Sequence, residues 1–96
     1  MSVLYDVLEE EKERLLRMKS AMEKELESLP KGYLSKKRIS GREYYYLQHR
    51  DGGKMVSSFV PAADVEEMRT KVERRRQLQA SIRECRENIR KLERVI

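Results

Sequence analysis

Apolar residues recur over the first 30 positions at alternating spacings of four and three. Leu4, Leu8, Leu15, Met18, Met22 and Leu29 fill a seam at positions 4, 8, 11, 15, 18, 22, 25 and 29, which Glu11 and Glu25 interrupt. A period near 3.5 is that of an amphipathic, coiled-coil-like helix, predicted over about 2–28. Acids crowd its first turns (Asp6, Glu9, Glu10, Glu11), where the helix dipole favours them, and Ser2 is placed to cap it. Pro30 ends it, because the residue before a proline is pushed out of helical geometry.

The pattern then shortens to strand-sized runs rich in Tyr, Val, Ile and Phe: Tyr33 to Ile39, Arg42 to Arg50 and Lys54 to Val60. Ser40-Gly41 suits a two-residue hairpin turn. Asp51-Gly52 suits a second, with Gly53 forming a bulge. The first loop pairs Ile39 with Arg42 and Lys37 with Tyr44. Strand alternation then puts Tyr33, Lys37, Tyr44 and Tyr46 on one face and Leu34, Tyr45 and Leu47 on the other. The register of the third strand, and so the face that Phe59 joins, stays open, as does which face is buried.

From Pro61 or Asp64 a helical period returns and runs to the end. Val65, Met68, Val72, Leu78, Ile82, Cys85, Ile89, Leu92 and Ile96 form its stripe, with Arg75 interrupting. The economical architecture is α+β and a single domain over 1–96. An antiparallel two-helix hairpin (helix 1 about 2–28, helix 2 about 62–96) carries a three-stranded antiparallel β-meander (about 33–60) inserted at its tip. Two helices alone bury a narrow seam, and 96 residues make a thin core. A homodimer through the helices is therefore expected. Leu8, Leu15, Met18, Met22, Val72, Leu78, Ile82, Ile89 and Leu92 are the candidates for the helix–helix or dimer interface.

Charge changes this picture in one place. Residues 31–54 hold seven Lys or Arg against two acids, a net of +5, which equals the formal charge of the whole chain. Five of the six aromatics lie between Tyr33 and Phe59. An anionic partner, nucleic acid or an acidic protein surface, would bind there. No apolar run approaches the roughly 20 residues needed to cross a bilayer, and the N-terminus lacks the pattern of a secretory signal. A single cysteine fits a reducing cytoplasm.

Candidate chemistry is sparse. His49 and Cys85 are the only residues of their kinds and belong to different elements. His49 sits among Arg50, Asp51 and Lys54, where exposure to solvent is expected. Cys85 lies on the helix-2 stripe as a small buried hydrophobe. Metal-ligand spacing and a phosphate-binding glycine loop are absent, so no catalytic residue, metal, cofactor or small-molecule substrate is expected. The meander is the sharp feature. Lys36, Lys37, Arg38, Arg42, Arg50 and Lys54 can neutralise phosphates, while Tyr44 and Tyr46 can stack on bases or contact phosphates through their hydroxyls. A small sheet also fits a DNA major groove. Against this stands a structural use: tyrosines packing the sheet on the helices, with lysines keeping exposed strands apart. Arg74-Arg75-Arg76 either extends the basic surface or pairs with glutamates of helix 1.

Leu29-Pro30-Lys31-Gly32-Tyr33-Leu34-Ser35-Lys36-Lys37, then Gly41-Arg42-Glu43-Tyr44-Tyr45-Tyr46-Leu47 and Asp51-Gly52-Gly53-Lys54, resemble a family of short bacterial proteins known as a domain of unknown function. These share a helix, a Leu-Pro-Lys-Gly lead-in, a Tyr-Tyr-Tyr-Leu strand and a long charged C-terminal helix. The resemblance covers most of the chain and implies no particular activity. More loosely, the Tyr-Tyr-Leu hairpin with its Arg-Asp-Gly-Gly-Lys turn is similar to hairpins near the N-termini of some transposases and phage-type integrases. Those contact DNA, but no recombinase catalytic residues follow here. The expectation is a non-enzymatic binding module for nucleic acid, DNA first, acting through the meander. The alternative is a coiled-coil interaction or assembly protein, of phage or mobile-element origin. Burial of Tyr33, Tyr44 and Tyr46 would favour the second; their exposure beside Lys37 would favour the first.

Overall fold

The computed structural model describes residues 3–96. Helix α1 (Val3–Glu27) is followed by strands β1 (Tyr33–Ile39), β2 (Arg42–Asp51) and β3 (Lys54–Val60), a single 3-10 turn (Ala62–Asp64) and helix α2 (Val65–Val95). This is the expected α+β arrangement, two helices with a three-stranded antiparallel meander between them in the chain. The capping role expected of Ser2 lies outside the described residues.

Each boundary has a local cause. Ser28 closes the last turn of α1 by donating from both its amide (3.0 Å) and its hydroxyl (2.6 Å) to the Glu25 carbonyl, and Pro30 prevents continuation. After β3, Pro61 starts the 3-10 turn by accepting from the Asp64 amide at 2.9 Å, and α2 begins at Val65.

The chain forms two compact units. One comprises the residues up to Ser28 with Gln77–Ile96; the other is Leu29–Arg76. In the helical unit, α1 and the later part of α2 run antiparallel. Lys12 meets Glu93 at 3.9 Å, and Glu23 meets Arg86 at 3.7 Å. Leu15, Cys85 and Ile89 are buried together, with Met22 and Leu92 packed against them. The Cys85 thiol donates to the Leu15 carbonyl at 3.2 Å, so it serves as a small core residue with one satisfied polar contact. Leu78 and Ile82 are buried as well. The α1 seam is covered only in part: Leu8 is half-buried, while Leu4 (64 %) and Met18 (41 %) remain exposed. Arg14 bonds the seam residue Glu11 through Nε and Nη2.

In the second unit the sheet order is β1-β2-β3. Ile39 pairs with Arg42 and Lys37 with Tyr44, as the two-residue loop requires. Ser40 (φ 51°) and Gly41 (φ 79°) make that loop with positive φ at both central positions. The second loop differs from expectation: Asp51 pairs with Lys54, so the turn is Gly52-Gly53, with no bulge. A two-residue turn of this type needs φ > 0 twice, and only the two adjacent glycines (φ 56° and 82°) meet that demand without a Cβ penalty. The register that follows sets Phe59 opposite Tyr46.

Gly32, ahead of β1, has φ 110°, and a Cβ there would stand 2.1 Å from the Gln48 carbonyl oxygen. The chain therefore enters the sheet against the backbone of β2, an approach open only to glycine.

Candidate nucleic-acid interface

The register sorts every side chain of the meander onto one of two faces, because strand residues alternate. One face carries Leu34, Lys36, Arg38, Glu43, Tyr45, Leu47, His49, Asp51, Lys54, Val56, Ser58 and Val60. This face packs on α2. Val60 and Val65 are buried, the Arg69 guanidinium lies 5.8 Å over the Tyr45 ring, and Leu34 lines a small cleft with Arg69 and Val72. Of the three consecutive tyrosines, Tyr45 alone is spent on packing. His49 shares this face and is half-buried rather than solvated as expected; the Gly32 backbone passes so close that a Cβ there would stand 2.9 Å from the His49 Cβ. Its Nδ1 is buried with no hydrogen-bond partner among the described residues.

The opposite face carries Tyr33, Ser35, Lys37 and Ile39 from β1, Arg42, Tyr44, Tyr46, Gln48 and Arg50 from β2, and Met55, Ser57 and Phe59 from β3. The rings form a cluster. Phe59 meets Tyr46 nearly edge-on at 5.9 Å between centroids and Tyr44 in a tilted contact at 6.3 Å. Such arrangements suit the ring quadrupoles. The Lys37 ammonium sits 4.8 Å from the Tyr46 centroid, a cation–π contact that holds the charge over the aromatic surface. Tyr33 donates its hydroxyl to Gln48 Oε1 at 2.9 Å. Tyr44 and Tyr46 are half-buried, each with its ring against Phe59. Phe59 itself is 56 % exposed, Tyr33 47 %.

Alternation divides the charges unequally. The aromatic face holds Lys37, Arg42 and Arg50 and no carboxylate, whereas Glu43 and Asp51 both fall on the face toward α2 with Lys36, Arg38 and Lys54. There Lys36 pairs with Glu43 at 3.4 Å. The structure thus brings together Lys37, Arg42, Tyr44, Tyr46 and Arg50 from the expected set and adds Phe59. It places Lys36, Arg38 and Lys54 on the other side. Phe59 escaped the sequence pattern because its face depended on how two adjacent glycines were used; the glycine pair itself was the available signal.

The arginine run resolves into separate contacts. Arg75, half-buried, donates to the Leu29 carbonyl at 3.2 Å, which ties the lead-in of the sheet to α2 and explains a cation on an apolar stripe. Arg76 pairs with Glu73 at 3.7 Å. Of the interface candidates, Leu15, Met22, Ile89 and Leu92 pack within the helical unit, and Val72 lines the cleft beside the sheet. Among the described residues no group of three or more His, Cys, Asp or Glu is arranged to hold a metal ion, and no helix is long and apolar enough to cross a membrane.

Comparison with curated proteins and with solved structures gives no match. Residues 8–70 match a family model, a span that includes the whole meander and most of α1. By that match the chain belongs to the family described as Domain of unknown function (DUF6788).

Proposed function

We propose that the protein is a non-enzymatic binding module for nucleic acid, DNA first, acting through the aromatic face of its sheet. One observation carries this reading: three cations and a cluster of three rings share a face that contains no carboxylate and is turned away from α2. Cations neutralise phosphates and release counterions, while aromatic rings offer sequence-tolerant contacts to bases. A tyrosine face used for packing would have been buried on α2; here only Tyr45 is so used. The lone, buried Cys85 fits a reducing, cytoplasmic setting.

The direct test is a gel shift with duplex and single-stranded probes at about 50 mM salt. A shift whose affinity falls steeply as salt rises supports the reading. No shift of either probe at protein concentrations up to roughly 100 μM, beyond the usual non-specific range, removes it.

A second reading, self-association through the helices, is supported by the incomplete cover on the α1 seam, where Leu4 and Met18 are exposed in line with buried Leu15. Light scattering at tens of micromolar distinguishes a dimer from a monomer of 11.5 kDa. A monomer mass removes the second reading and leaves the first intact.

A further inference from the structure

Phe59 is the feature that a general affinity for phosphate does not explain. It lies on the edge strand β3, directly opposite Tyr46 of the central strand, and is 56 % exposed with its ring against those of Tyr44 and Tyr46. A phenyl ring has no hydroxyl or N–H, so it makes no hydrogen bond to a phosphate or a base edge. What it offers is a π surface.

In a duplex the faces of the bases are consumed by stacking on one another, and a sheet in the groove meets their edges. There a phenyl ring finds little beyond a thymine methyl group. An unpaired strand presents base faces, and every base has one. The charges agree with this. Arg42 and Arg50 stand at the two ends of the face, eight positions apart on β2, or about 27 Å at the rise of an antiparallel strand. Lys37 lies between them, over Tyr46, and no carboxylate interrupts the track. At about 3.4 Å per stacked nucleotide, that length accommodates roughly eight nucleotides of a single strand, and fewer when the strand is drawn out.

We infer that the aromatic face bearing Phe59 takes the unpaired bases of a single-stranded nucleic acid, stacked on the rings, in preference to a duplex. This rests on the nucleic-acid reading above. Fluorescence anisotropy of the full chain at about 50 mM salt tests it, with labelled oligo(dT) and oligo(rU) of about twelve residues and a duplex of the same length. The expected result is affinity for one or both single strands at least about tenfold above that for the duplex. Phe59→Leu keeps an apolar side chain at an exposed position and is expected to stay folded, with a melting temperature lowered by a few degrees for the two lost ring contacts, and to lower single-strand affinity by about 5- to 150-fold, the loss of one stacked base. Its salt slope and its affinity for the duplex stay unchanged. The relative response to oligo(dT) and oligo(rU) tells DNA from RNA as the source of the strand. Duplex affinity equal to or above that of both single strands overturns the inference while nucleic-acid binding stands. An equal loss on all probes in Phe59→Leu also overturns it. If no probe binds, the underlying reading falls with it.

Discussion

The two faces of the meander are built from the same stretch of chain and carry equal numbers of cations, yet they have become different surfaces. Toward α2 lie Lys36, Arg38 and Lys54 with Glu43 and Asp51, and the apolar residues beside them are drawn into packing: Val60 is 4 % exposed. Away from α2 lie Lys37, Arg42 and Arg50 with no acid, and apolar residues there remain in water: Phe59, Met55 and Ile39 are all exposed. Composition alone does not separate these surfaces. Period-two alternation does, because each residue of a strand is assigned a side by its register. A basic segment thereby becomes one mixed-charge packing face and one purely cationic aromatic face.

The sharpest break of the comparison is one carboxylate placed on each side. Val60→Asp puts a charge where only 4 % of the side chain meets water, and is expected to cost about 4 kcal/mol or more, enough to unfold the sheet unit. Ser57→Asp, exposed on the aromatic face, is expected to change stability by no more than about 0.5 kcal/mol while weakening nucleic-acid binding, because it ends that face's freedom from acids. Urea denaturation and a gel shift on the two variants decide it. Equal stability losses would show that both faces are packed.

Next in size is Gly32→Ala, which forces a Cβ to within 2.1 Å of the Gln48 carbonyl oxygen at φ 110°. Backbone strain and the clash together are expected to cost about 3 kcal/mol, read from the same denaturation curves. A neutral result would mean that the lead-in can leave β2 without disturbing the sheet.

A smaller effect sharpens the charge comparison. Lys37, Arg42 and Arg50 changed together to Ala are expected to reduce the slope of log affinity against log salt by roughly two, at about 0.7 per single-strand phosphate contact. The matched triple of Lys36, Arg38 and Lys54 is expected to change it by less than about one. Titration of one labelled oligonucleotide at several salt concentrations compares them, and a reversed order would move the binding surface to the other face.

The smallest effect lies in the helical unit. Hydrogen bonds from Arg14 hold the Glu11 carboxyl below its ordinary pKa. A folded-state pKa that is lowered means stability present above the ordinary carboxylate range and lost as pH falls through the lowered value. Glu11→Gln is thus expected to lower Tm slightly at neutral pH, with no difference from wild type in strong acid, where both are uncharged. The pair is exposed and screened, so the shift is small, and nucleic-acid affinity is expected to be unaffected.

Local chemistry made much of this molecule legible in the residues. Pro30 and Pro61 mark the helix ends, the Tyr/Val/Ile runs mark the strands, and Ser40-Gly41 fixes the first register and with it the separation of Tyr33, Tyr44 and Tyr46 from Tyr45. The apolar stripe of α2 gives Cys85 and Ile89 as core. These features depend on interactions a few residues apart, which the chain carries wherever it goes. The tertiary structure decided what the local pattern left free. Gly52-Gly53 permits more than one turn, and only the pairing of Asp51 with Lys54 puts Phe59 among the tyrosines. Alternation names two faces but not which is covered; packing of Val60 and Tyr45 on α2 chose the side. Arg75 breaks an apolar period in the sequence, and its reason is a carbonyl 46 positions away. His49 is half-buried where the backbone of Gly32, 17 positions earlier, passes close to it. Apart from the glycine turn, where a local pair of residues allowed alternatives, these outcomes are settled by contacts between distant parts of the chain that no local propensity encodes.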